Sequence, residues 1–201
     1  VTEWEMALVI NEEKGVEYSE LLRRVDEMSF DEKVDVIAEQ IHGQRVAVEA
    51  MVKAVLRLKN RRPGQTRPSG IFLFVGPSGV GKTELARVVA AMEGMGLIKE
   101  DFGMMTEAMD VTQYKGASAG YVGQDNPTFA KRLQERPRSV IVWDEIDKAA
   151  EELLQTLLAE LDTGVVKDAQ GNVTDMGEAI TVMTANWAAD LVDPGMTRDE
   201  L

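Results

Sequence analysis

Cysteine is absent from the 201 residues. That removes disulfide frameworks, thiol nucleophiles and thiolate metal sites, and it suits a reducing compartment such as the cytoplasm. A single histidine, His42, excludes a multi-histidine metal centre. No apolar run approaches the roughly 20 residues of a membrane helix, so no membrane segment is expected. The opening VTEWEMAL is acidic and lacks the basic start of a secretory signal. It begins on Val1 rather than Met, and the chain is read as a fragment of something longer.

Hydrophobic residues make up 44% of the chain and charged residues 28%, a globular balance. The net charge of −13 is uneven: −8 over residues 1–40, +6 over 41–70 and −11 over 71–201. An acidic chain is a poor general binder of nucleic acid. Only RLKNRRPGQTR (57–67) keeps that option open, and cations at a helix C-terminus are the commoner explanation of its first half, ahead of contact with a nucleic acid or a partner.

Capping-box pairs at Thr2/Glu5 and Ser29/Glu32 predict helices that Gly15 and Gly43 end. Residues 44–60 predict a longer helix, with Val48, Met51, Val52, Val55 and Leu56 on one face. Beyond it the pattern alternates. IFLFV (71–75), SVIVW (139–143) and AITVMTAN (179–186) are expected as strands, the first two of them buried. Helices are expected over 82–93, from an Asn126 cap with Pro127 to about Arg136, and over 148–161. Residues 103–114 are ambiguous and are given one strand. Ala169-Gln170-Gly171 predicts a hairpin turn. The expectation is an α/β fold with a mainly parallel sheet.

GPSGVGKT (76–83) fits G-x-x-x-x-G-K-[ST] in full, between an expected strand and an expected helix. Glycines let backbone N–H groups close around phosphate oxygens, and the helix N-terminus adds its positive dipole end. Lys82 would reach the β- and γ-phosphates of ATP, and Thr83 would offer its hydroxyl to Mg2+. SVIVWDEID puts Asp144 and Glu145 at a strand's carboxyl end, where ligands bind in open α/β sheets. Asp144 is the candidate Mg2+ partner and Glu145 the candidate base. Asn186, closing MTAN, either orients the γ-phosphate or water, or simply caps a following helix.

These segments, with GASAGYVG and LLAELDTGVVKDAQGNVTD, follow one another as in AAA+ ATPases. They most resemble the second ATPase module of the ClpB, ClpA and ClpC class of unfoldases and disaggregases. The opening residues resemble the link into that module, and IHGQRVAVEAMVKAV resembles the segment beside the adenine. The resemblance implies a P-loop NTPase large subdomain: 1–42 as helical link, 43–201 as nucleotide-binding domain, stopping before the helical lid. It implies Ile41 and His42 against the adenine, and Gly76, Gly79, Val80, Gly81, Lys82, Thr83 and Glu84 around the phosphates. Asp144 and Glu145 become the acidic pair and Asn186 the γ-phosphate sensor. Gly120, Tyr121, Val122 and Gly123 become a pore loop gripping polypeptide, and 163–173 a second loop. The implied partners are copies of itself in a hexameric ring, a polypeptide substrate, and a protease or adaptor. The link lacks the Trp-Thr-Gly-Ile-Pro run usual in that class.

GASAG (116–120) also matches the G-x-S-x-G nucleophile pattern, but no convincing strand precedes it and no histidine follows it. The alternatives to ATP-driven protein remodelling are an AAA+ ATPase acting on nucleic acid and a nucleotide-binding assembly scaffold. GYVG favours the first, the basic stretch the second, and an intact Lys82, Asp144 and Glu145 set argues against the third.

Overall fold

The computed structural model describes residues 22–107, 110–116 and 127–187. Among them, four parallel strands form one sheet in the order β1 (Gly70–Val75), β6 (Ile180–Ala185), β3 (Ser139–Asp144), β2 (Gly96–Asp101). Besides helical residues 22–27, the helices are α1 (Phe30–Gln40), α2 (Arg45–Lys59), α3 (Lys82–Met92), α4 (Asp110–Lys115), α5 (Phe129–Glu135) and α6 (Glu151–Thr163). Strands β4 (Val165–Lys167) and β5 (Val173–Asp175) make the expected antiparallel hairpin.

The run SVIVW is continuously apolar because β3 is covered on both faces. Val140 and Val142 pack into one cluster with α1, α2 and α3; Ile141 and Trp143 pack into the other with Phe102, Phe129 and α6. Period-2 alternation sends successive side chains to opposite sides of the sheet. On the first side, the Ser29–Glu32 capping box forms in both directions and starts α1. Helix α2 buries Val48, Met51, Val52 and Val55 as its spacing predicts, with Leu58 in place of Leu56, which is half-buried.

Four expectations are corrected. Residues 71–75 form a strand but not a buried one, because β1 is an edge of the described sheet and Ile71, Leu73 and Val75 are exposed. The strand placed within 103–114 lies earlier, at Gly96–Asp101, and the region itself holds a 3-10 turn (Phe102–Met104) and α4. Helix α5 is capped by Thr128, whose hydroxyl accepts from Lys131 N at 3.3 Å, with Phe129 as its first residue. Helix α6 begins at Glu151, because Ile146–Lys148 form a 3-10 turn and Ala149 and Ala150 are extended. The helix expected at residues 2–15 lies outside the described residues.

Four of the five basic residues of 57–67 bond to other parts of the chain. Arg57 donates to Ser69 O, Lys59 pairs with Asp26 and Glu93, Arg61 with Glu178, and Arg67 with Asp162.

Tyr114 Oη donates to Glu160 Oε2 at 2.8 Å in the second cluster, while Glu160 Oε1 is buried without a partner. Burial pushes the Glu160 carboxyl up to about 7, against weaker downward pulls from Tyr114 and Lys115. The folded value therefore lies above the unfolded one near 4.5. Stability is fullest below the unfolded value and falls as pH rises from there to about 7. Glu160→Gln keeps an acceptor for Tyr114 and removes the buried charge. Denaturant unfolding at pH 5 and pH 8 should then show a flatter pH dependence, with a gain at pH 8 of up to roughly 3 kcal/mol. An unchanged pH slope would count against this assignment.

Candidate nucleotide site

Strands β1, β6 and β3 are parallel and end at nearly one level. Val75 pairs with Ala185, and the β3–β6 pairing closes at Trp143↔Met183, which brings Asp144 level with Thr184. Each strand therefore hands its next residues to the same edge: Gly76 onward from β1, Asp144-Glu145 from β3, and Asn186 from β6. An open groove of about 480 Å3 lies there, lined by Ser78, Gly79, Gly81, Lys82, Thr83, Glu84, Arg87, Leu97, Lys99, Asp144, Glu145, Thr184 and Asn186.

The loop between β1 and α3 turns on left-handed backbone at Gly79 (φ 83°) and Gly81 (φ 92°). A Cβ would meet nothing within 4 Å at Gly79 and only Ile41 at Gly81, so the backbone conformation, not space, calls for glycine. Val80 between them is 38% exposed. Gly76 N donates to Ala185 O at 3.3 Å, anchoring the loop to β6. Lys82 Nζ is fixed by three acceptors: Gly76 O at 2.6 Å, Pro77 O at 2.9 Å and Asn186 Oδ1 at 2.8 Å. Glu84, in the first turn of α3, pairs with Arg87 at the groove's rim.

Asp144 is the most connected acid of the site. Its Oδ1 accepts from Thr83 Oγ1 at 3.0 Å and from Thr184 Oγ1, and its Oδ2 faces Lys99 Nζ at 2.7 Å. Burial raises its pKa, but the bonds from Lys99, Thr184 and Thr83 outweigh that and hold the carboxyl below its usual value. Asp144 is thus an anion held beside a hydroxyl, the hard oxygen donors that Mg2+ takes.

Glu145 is the one non-glycine with positive φ among the described residues (φ 56°, ψ 45°). That conformation costs on the order of 1–2 kcal/mol for an L-residue with a Cβ. Its N–H donates to Thr184 Oγ1 at 3.0 Å, so one hydroxyl fixes both acids. Its carboxylate meets Lys148 Nζ at 2.6 Å through Oε2 and Asn186 Nδ2 at 3.5 Å through Oε1. Asn186 N donates to Asp147 Oδ1 at 3.2 Å. The main chain at Gly103 runs so close that a Cβ there would collide with Glu145 Oε2.

The expected phosphate and acid residues are thus brought together. Neither Ile41, which is buried beside Gly81, nor His42, which is exposed, lines the groove. Gly120, Tyr121, Val122 and Gly123 lie outside the described residues. Within the second expected loop, Asp168 closes the hairpin by accepting from Gln170 N and Asn172 N. Sequence reading missed Thr184, Lys99, Lys148 and Gly103. Thr184 sits inside the quoted MTAN run, and its place two residues before Asn186 on the same strand was the available signal.

The AAA domain (Cdc48 subfamily) family matches residues 67–197. The chaperone protein ClpB of Dichelobacter nodosus is 33% identical over 196 residues, covering 96% of this chain and 23% of that protein. The ATP-dependent Clp protease ATP-binding subunit ClpC of Staphylococcus aureus (strain USA300) is 38% identical over 159 residues, 77% of this chain and 19% of that protein. A closed-state cryo-EM reconstruction of Hsp104 with ATPγS and FITC casein superposes with a TM-score of 0.71 at 34% identity, over 83% of this chain and 30% of that one. The chain spans about a quarter of the length of the curated relatives it matches. No helix among the described residues is long and apolar enough to cross a membrane.

Proposed function

We propose, for a chain that belongs to the AAA domain family (Cdc48 subfamily), that it is the ATP-hydrolysing module of a ring-forming protein-remodelling chaperone of the ClpB and ClpC kind. The observation that carries this reading is the meeting of Lys82, Thr83, Asp144, Glu145 and Asn186 in one groove at three parallel strand ends. Residues 43–201 are read as the nucleotide-binding unit and 1–42 as the segment leading into it; its Val25, Val34 and Ile37 pack on the same core.

The roles follow from the chemistry of each group. Main-chain N–H groups of 79–83 and the Lys82 ammonium bind the β- and γ-phosphates. Thr83 and Asp144 would hold Mg2+, which when bound neutralises charge on the phosphates. Glu145 orients a water molecule and takes its proton. Asn186 links the Lys82 ammonium to the Glu145 carboxylate, so it is placed to respond to the γ-phosphate. Ile41 and His42 are assigned to the adenine end. The GYVG loop at 120–123 is assigned to polypeptide, within a hexamer of this module; a protease or adaptor would act on the assembled ring. A cysteine-free chain fits placement in the cytoplasm. A nucleic-acid role is disfavoured, because most of the basic residues of 57–67 are already paired with other residues of the chain.

Tyr121→Ala should uncouple ATP use from work on substrate. The ring, not the hydroxyl, is proposed to grip an extended chain, so Tyr121→Phe should keep most function. The measurement is unfolding of a tagged fluorescent protein by the full-length assembly, with ATPase rates taken with unfolded protein, with DNA and with neither. Wild-type unfolding by Tyr121→Ala, or stimulation by DNA alone, would sink the reading.

A further inference from the structure

Lys99 is a charged residue on the edge strand of the described sheet, yet it faces the nucleotide groove. It pairs across to Val142 of β3, and Asp144 lies two residues further along the same face. Such diagonal cross-strand neighbours are within reach of long side chains. The Lys99 side chain is 45% exposed, its ammonium sits 2.7 Å from Asp144 Oδ2, and it lines the same groove as Lys82 and Thr83. Asp144 Oδ1 is taken by the hydroxyls of Thr83 and Thr184. Asp101 and Glu145 add negative potential that favours the charged ammonium.

We propose that Lys99 is a second cationic group of the nucleotide site, one that competes with a divalent cation for Asp144 and so sets how strongly nucleotide binding depends on that cation. This rests on the reading of Asp144 as the metal's partner. An ammonium and a divalent cation on one carboxylate repel each other, so each weakens the other's hold. With the metal removed, the ammonium offsets part of the repulsion between the acid and an incoming polyphosphate. With the metal present, the ammonium opposes it. Lys99 therefore supports metal-free nucleotide binding and restrains metal-assisted binding, two effects of opposite sign. A lysine that merely tied β2 to β3 would move both in the same direction or neither.

The test is equilibrium titration of the full chain with a fluorescent ATP analogue, once in MgCl2 and once in EDTA, for wild type, Lys99→Met, Lys99→Gln and Lys99→Arg. Lys99→Met and Lys99→Gln should bind about three- to fivefold more weakly in EDTA, the worth of a partly exposed ion pair, and reach half-saturation at a Mg2+ concentration lower by a similar factor. The ratio of the two affinities then widens, while Lys99→Arg stays near wild type. Because the ratio is taken within one variant, a general loss of folded protein does not mimic the result. An unchanged ratio in Lys99→Met and Lys99→Gln overturns the proposal. Asp144→Asn separates the two claims: it should shrink the ratio, and if it does not, the metal reading of Asp144 itself fails and the competition with it. A ratio that shrinks in Asp144→Asn but holds in both Lys99 variants leaves the metal reading standing and removes Lys99 alone.

Discussion

Lys82→Ala should weaken nucleotide binding by about a hundredfold or more. The ammonium is held by the carbonyls of Gly76 and Pro77 and by Asn186 Oδ1, so it is aimed over the loop before any ligand arrives. A charge-assisted bond to phosphate is roughly twice as strong as a neutral one, and two such bonds account for a loss of this size. The alanine variant should still fold, because the carbonyls and the Asn186 amide it abandons are only part-buried and can turn to water. Titration with a fluorescent ATP analogue, alongside circular dichroism, measures both quantities. Unchanged affinity in a folded variant would remove the phosphate-cradle assignment.

Glu145→Gln is expected to bind ATP normally and to hydrolyse it about 10²–10⁴ times more slowly, the usual worth of a positioned general base. Glutamine keeps the shape, and the left-handed backbone at this position is set by the main chain, whose N–H bonds Thr184 Oγ1. What it loses is basicity and the charge that faces Lys148. That ion pair is substantially exposed on both sides, so its loss should change stability little. Binding and phosphate release, measured on the full-length assembly, separate the two effects. Turnover near the wild-type rate with nucleotide bound would place the base elsewhere.

SVIVW was legible because burial on two faces forces an unbroken apolar run; IFLFV is as apolar, although Ile71, Leu73 and Val75 are exposed at the edge of the described sheet. SVIVW and IFLFV announce themselves, and the glycine-rich loop after the second has one conformational purpose. Strand β2 was not legible, since GLIKED carries three charges in six residues. It lies at the edge of the described sheet, where only Ile98 and Glu100 are buried and alternate positions face outward. Edge strands accept charge that central strands cannot. With β2 went Lys99, whose contact with Asp144 is a cross-strand diagonal that no spacing along the chain reveals. Thr184 was visible in type but not in role, because its two bonds depend on register. The cap of α5 was displaced for a local reason: Asn126, Pro127 and Thr128 all carry start signals, and the last of them forms the bond. The Tyr114–Glu160 pair joins residues 46 positions apart, beyond the reach of any periodic pattern.

The level ending of β1, β3 and β6 makes the sheet a datum line from which the chemistry is measured. Every distance in the groove is set relative to that line, so the connections at the opposite edge of the sheet can lengthen or shorten without disturbing it. One residue added inside β3 would do the opposite. It would carry the Asp144 carboxylate about 3.3 Å beyond Thr83 and Thr184 and turn it to the other face. Tolerance to length change in this chain is therefore a map drawn by the sheet: free at the edge away from the groove, absent in β1, β3 and β6 and in the turns that leave them at the groove.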